Sequence, residues 1–183
     1  PTDTVYGLIC DAENKKAVAK IFKIKRRLKD KPLSVFVKDL KMAKEVAKIN
    51  KSQEQFLKKV WPGQTIAILK ANSSAWLRVK GIISKSGKIG LRIPDYKLLD
   101  ILLEKFNSPL AQTSANISGE LPVREIKEVL KQFTLRPFNT TQGKRGAGQE
   151  KYLPDLILDG GKLKSKKPSR VIDLTSKKPK ILR

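Results

Sequence analysis

The sequence predicts an α/β fold built on one twisted, mixed β-sheet with flanking helices. Three observations carry that expectation. Short β-rich runs at 33–37, 65–69 and 89–93 are interleaved with longer stretches whose apolar residues recur at helical spacing. The interleaving is irregular, with several helices in succession, which favours a mixed sheet over a regular doubly wound one. A chain of 183 residues with 39% hydrophobic content also has enough material for one substantial core, so a single domain is expected over 1–183.

Taken in order, residues 14–25 read as a helix, with Asn14 as N-cap and Ala17, Val18, Ile21, Phe22 and Ile24 as its apolar stripe. Residues 33–37 form a short strand entered from Pro32. Two amphipathic helices follow at 41–49 and 52–60, the second capped by Ser52 and stopped by Trp61-Pro62-Gly63. Strands are expected at 65–69, 89–93 and 110–113, and helices at 98–106 and 125–133. A run at 156–158, ending at Asp159-Gly160-Gly161, completes the sheet with 171–174 and 181–182. Residues 70–88 and 136–151 read as loops. The second, RPFNTTQGKRGAGQEK, has the make-up of an RGG-like nucleic-acid segment or a mobile loop. Aromatic interleaving limited to Phe138 and Tyr152 favours the loop.

Composition excludes whole mechanisms. There is no histidine and one cysteine, Cys10, so Ser-His-Asp and Cys-His catalysis, histidine zinc sites and intramolecular disulfides are all ruled out. No protein-bound metal is expected. No apolar run reaches the roughly 18 residues that span a bilayer, and no secretory leader is visible. A reducing, cytoplasmic setting without membrane contact is the natural expectation. The chain opens on Pro1 inside a motif, so its true N-terminus is expected to lie upstream.

The formal charge is +23, from 40 Lys and Arg against 17 Asp and Glu. The excess is mostly lysine and runs along the whole chain. It reads either as a lysine bias that solvates the surface or as an electropositive face for phosphates.

Four segments carry candidate chemistry. Lys25, Arg27 and Lys31 sit where the first helix gives way to a buried strand, a place from which fixed cations can clamp a polyphosphate. The same residues also suit a solvated helix end that complements the dipole. Arg92 interrupts the apolar run 89–93, and an arginine there needs an anion, either a buried Asp or Glu or a substrate carboxylate. The small-residue run 113–119 reads as a plain turn or as a nest that lets backbone N–H groups approach a ligand. Thr2, Thr4, Tyr6 and Gly7 repeat that pairing of hydroxyls with glycine beside a short apolar run.

Together, PTDTVYGL (1–8), KIFKIKRRLKDKPL (20–33), WPGQTIAIL (61–69), LRIP (91–94), SPLAQTSANISG (108–119) and DLILDGG (155–161) resemble, in order and spacing, the YrdC/TsaC family of threonylcarbamoyl-AMP synthases. The resemblance implies a YrdC-like fold with a basic concave cavity. It also implies a nucleotidyltransferase that joins L-threonine, bicarbonate or CO2, and ATP into threonylcarbamoyladenylate and pyrophosphate. The product would serve threonylcarbamoyladenosine formation in tRNAs reading ANN codons, through a downstream threonylcarbamoyl-transferase complex. Carried over by position, Thr4, Arg92 and Ser114 would contact threonine. Arg27, Lys31, Asn116, Arg124 and Ser169 would hold ATP with its Mg2+, and Lys25, Arg27 and Lys31 would be the catalytic cations. The chain departs from the family pattern at Phe36 (often histidine), Lys88 (a small hydroxyl) and Arg170 (threonine), and residues 134–152 read as an insertion. The extra C-terminal domain of the longer branch is not expected, nor is the strand before residue 1. The alternative is a non-catalytic module that binds tRNA or double-stranded RNA in the same cavity. A carbamoyl-transfer relative from hydrogenase maturation fits less well, because its zinc modules need more cysteine.

Overall fold

The structure, a computed structural model, describes every residue except 29, 80, 135–152, 165, 166 and 177. The order of elements is β1 (Gly7–Asp11), α1 (Lys15–Lys25), β2 (Ser34–Phe36), α2 (Leu40–Val46), β3 (Ala47–Lys48), α3 (Lys51–Val60), β4 (Thr65–Ala71), α4 (Ser73–Arg78), β5 (Lys88–Arg92), α5 (Lys97–Phe106), β6 (Leu110–Ser114), α6 (Ile126–Thr134), β7 (Arg170–Asp173) and β8 (Lys180–Ile181).

The strands form one mixed sheet in the order β1-β6-β2-β5-β4-β7-β8. Two neighbours, β2 with β5 and β4 with β7, run parallel, and the rest are antiparallel. β4 is long enough to pair β7 over residues 65–68 and then β3 over 70–71. Because strand side chains alternate, Val35, Ala67, Leu69, Ile89, Leu91, Ala111 and Ile172 enter the core. Ser34, Phe36, Ile66, Ile68, Lys88, Gly90, Arg92, Gln112, Ser114, Val171 and Asp173 line the opposite face. That second face carries the chemistry.

Local signals explain most elements. Asn14 caps α1 by accepting from Lys16 and Ala17 N–H, and Val18, Ile21 and Ile24 bury its apolar side. α1 ends at Arg26 in the left-handed region, φ 51°, which turns the chain so that Lys25 points inward and Arg27 reaches toward the sheet.

Several expectations need correction. α3 is capped by Asn50, not Ser52, through a capping box with Gln53 that satisfies two orphan donors. The helix expected to 49 stops at Val46 because residues 47–48 pair with β4. The loop expected at 70–88 contains α4, capped by Asn72. Residues 156–158 join no ladder and are largely exposed, because their segment is tied down by Tyr6 instead of a strand. β1 was not expected; the short run 7–11 becomes a strand through its pairing with β6. The insertion at 134–152 lies, apart from Thr134, outside the described residues. No helix among the described residues is long and apolar enough to cross a membrane.

Candidate active site

Arg92 is the fixed point of the site. It lies at the end of β5, 1% exposed, against the face of Phe36 at 5.6 Å. Its Nε donates to the Gly63 carbonyl at 2.8 Å, and its Nη1 to Ser169 Oγ at 2.5 Å. Its Nη2 donates to both Asp3 carboxylate oxygens. A guanidinium has five protons, so four are used and one Nη1 proton remains. Burial lowers its pKa and the Asp3 charge opposes that shift; guanidinium groups stay protonated in proteins. Of the two partners considered for this arginine, the structure supplies the internal one, Asp3.

The hydroxyls around Arg92 have defined polarity. Thr2 Oγ1 donates to the Val5 carbonyl at 2.7 Å, so the 3.0 Å contact between the Thr2 and Thr4 hydroxyls spends the Thr4 proton. Ser114 Oγ donates to Asn116 Oδ1 at 2.6 Å. Thr4 and Ser114 are therefore left as acceptors. Ser169 accepts from Arg92 and keeps a proton to donate. These groups border a hollow of about 130 Å³ that also meets Phe36, Gln112 and Arg27.

The hollow opens into a groove of about 500 Å³ that shares Arg27, Ser34, Ile66 and Arg183 with it. Gly90 forms part of the groove floor; a Cβ there would lie 3.2 Å from Ile66 Cγ2 and 3.5 Å from Ser34 Cβ. Arg27 is held by the Lys31 carbonyl (2.8 Å) and the Pro32 carbonyl (3.0 Å). Burial, and then the charge of Arg183, lowers its pKa. Two guanidiniums thus face one space, and Lys88, paired with Asp173 at 2.9 Å, stands further along it.

Lys25 is placed differently from the clamp cation expected of it. It is 1% exposed, and its Nζ donates to the carbonyls of Ser114 (2.5 Å) and Asn116 (2.6 Å) and to Asn116 Oδ1 (3.0 Å). All three protons bind the 114–116 turn, which rules out a solvated helix end here. Burial, then the Arg27 charge, brings its pKa down to about 7. Asn116 stands behind Ser114 and outside the hollow's lining. Lys31 is exposed and supports Arg27 through its carbonyl. Arg124 is not brought to the hollow; its Nη1 contacts the Leu163 carbonyl at 3.4 Å. Ser169, expected at the nucleotide, sits on Arg92.

A family model described as telomere recombination and named for Sua5, YciO and YrdC matches residues 1–183. The chain belongs to the Sua5/YciO/YrdC family. A Methanocaldococcus jannaschii relative whose name proposes threonylcarbamoyl-AMP synthesis is 38% identical over 181 residues, 97% of this chain and 73% of that one. The threonylcarbamoyl-AMP synthase of Pyrococcus abyssi is 30% identical over the whole chain, which spans 48% of its length. Among solved structures, P. abyssi Sua5 complexed with L-threonine superposes with TM-score 0.80 at 29% identity, covering all of this chain and 48% of that one. Escherichia coli YciO does so with TM-score 0.80 at 25% identity, covering 80% of that chain. Full-length HypF, at 21% identity and TM-score 0.75, shares the fold.

Sequence reasoning missed Asp3, Gly63, Gln112 and Arg183. The alternation in SVF and LAQTS was the available signal for Gln112, since its polar side chain shares a face with Ser34, to which it donates at 2.7 Å. Gly63 belongs to a recognised helix stop, but nothing local says that its carbonyl receives an arginine 29 residues later.

Proposed function

We propose that this protein is a threonylcarbamoyl-AMP synthase. One observation carries the reading. The hollow holds complementary groups for a small zwitterion: a free Arg92 proton and the Ser169 hydroxyl for a carboxylate, and the acceptor oxygens of Thr4 and Ser114 for an amine. A volume of about 130 Å³ suits a small amino acid and is too small for a nucleotide. The adjoining groove, with Arg27, Arg183 and Lys88, suits ATP. The relatives named for this activity and the threonine complex of P. abyssi Sua5 support the same assignment.

The reaction needs no protein nucleophile. The threonine ammonium first gives up a proton to solvent; the free amine then captures CO2 with release of a second proton, or bicarbonate with loss of water, as a carbamate. A carbamate oxygen attacks the α-phosphorus, the bond to the β-phosphate oxygen breaks, and pyrophosphate leaves with that electron pair. Two anions are driven together, so catalysis is positioning and charge neutralisation. Arg27 and Arg183 supply fixed positive charge where the phosphates lie. Losing one such group costs on the order of 3 kcal/mol of transition-state stabilisation.

Lys25 and Asn116 act behind Ser114 by fixing its turn. Asp3 and Asp173 are already engaged by Arg92 and Lys88, and the described residues contain no cluster of three metal-ligating side chains. Mg2+ would therefore enter on the ATP phosphates. The product would pass to a transferase complex that modifies tRNA.

The RNA-binding alternative accounts for the groove cations. It leaves a buried arginine and polarised hydroxyls around an amino-acid-sized hollow without a purpose. The test is pyrophosphate release from ATP and bicarbonate with each amino acid in turn. Release should depend on threonine, and ATP turnover indifferent to the amino acid would defeat the reading.

A further inference from the structure

The sheet register creates a feature that the substrate pocket does not use. Lys48 on β3 pairs opposite Lys70 on β4, and Lys70 pairs opposite Lys88 on β5. Directly opposed residues project to the same face, so three lysines form one row, with strands about 4.8 Å apart. Among the described residues only Lys88 has an acidic partner in this row, Asp173, which takes one of its three protons. Lys48 and Lys70 are exposed and form no ion pair among the described residues. They border a separate depression of about 450 Å³ with Ile49, Asn50, Gln53 and Thr175, and none of these described lining residues carries a carboxylate. Asn50 and Gln53 are occupied in capping α3. Lys48 and Lys70, set side by side with no acidic partner among the described residues, favour an anion with several closely spaced charges. The row begins in the nucleotide groove at Lys88 and ends at the β3 edge.

We propose that Lys88, Lys70 and Lys48 form a phosphoanhydride subsite that receives inorganic pyrophosphate as it leaves the groove and that also binds linear polyphosphates. The assignment of pyrophosphate as the physiological occupant rests on the proposed reaction; the site itself does not. Arg27 and Arg183 hold the phosphates during the reaction, and the lysine row offers the freed product a path outward.

Calorimetric titration of the protein with pyrophosphate, tripolyphosphate and orthophosphate, at fixed ionic strength and without amino acid, tests the site directly. Pyrophosphate and tripolyphosphate should bind, with orthophosphate much weaker. The double substitution Lys48→Gln/Lys70→Gln should weaken both by about tenfold or more, the effect expected from losing charge-assisted hydrogen bonds. A charge-matched control, Lys105→Gln/Lys127→Gln, removes two exposed lysines from α5 and α6 and should change affinity less than about twofold. Equal losses in the two double variants would reduce the effect to the general field of a +23 chain and overturn the proposal. So would unchanged affinity in the first. All four lysines are exposed, and a thermal melt checks that both variants stay folded. Absent amino-acid-dependent turnover would defeat the proposed function while leaving this binding result to stand or fall separately.

Discussion

Arg92→Lys keeps the charge at the centre of the site and removes the planar fork. The guanidinium currently satisfies Gly63, Ser169 and both oxygens of Asp3, and stacks on Phe36. A lysine ammonium can follow Asp3 and one further acceptor, which leaves the Gly63 carbonyl unpaired. An unsatisfied buried carbonyl costs about 1–3 kcal/mol, and the lost stacking adds about 1 kcal/mol. The sum, about 2–4 kcal/mol, should lower the urea midpoint by roughly 1–2 M at ordinary slopes. Losing the remaining Nη1 proton should also lower amino-acid-dependent pyrophosphate release by about 10–100-fold, measured where the variant is folded. An unchanged midpoint together with unchanged turnover would mean that the Arg92 fork neither fastens this site nor acts in the reaction.

Gly90→Val places a side chain in the groove floor near Ile66 and Ser34; the KM for ATP should rise about tenfold or more, with the amino-acid KM changing less. Tyr6→Phe removes a hydroxyl that accepts the Gly160 N–H at 2.9 Å and donates to the Gly161 carbonyl at 2.8 Å; it should cost about 1–2 kcal/mol, read as a lower Tm. Lys25 has a folded pKa of about 7, below its ordinary value of 10.5, so between those values the unfolded chain binds the extra proton. Its contribution to stability therefore rises with pH in that window. The stability of wild type relative to Lys25→Met should increase from pH 7 toward pH 10, and a flat difference counts against this placement. Activity should fall as pH rises through about 7, where the folded-state amine becomes neutral and loses one of its three donors to the 114–116 turn.

Much of the fold was legible because helical period and cap agree at Asn14, and because β4 and β5 lie in short β-rich runs. The failures are cases where a distant partner decides. Residues 47–48 leave their helix because β4 offers backbone partners, and 156–158 stay out of the sheet because Tyr6 holds the glycines that follow. At the site, Arg92 stood out as a charge inside an apolar strand, and Thr4 and Ser114 as hydroxyls beside glycine-containing turns. Their polarity was not readable, since it depends on where Thr2 and Asn116 direct their hydrogen bonds. Lys25 was read as a free cation because sequence shows a basic helix end and not the carbonyls that surround it.

In the proposed reaction an amino-acid carbamate seated in the hollow is joined to the α-phosphate of ATP held in the adjoining groove. Incubation with ATP, threonine and 13C-labelled bicarbonate, followed by mass spectrometry, tests it most directly. The expected product is an adenylate that contains threonine and one labelled carbon, formed mole for mole with pyrophosphate. An adenylate without the label, or ATP consumed to ADP and phosphate, would contradict the account.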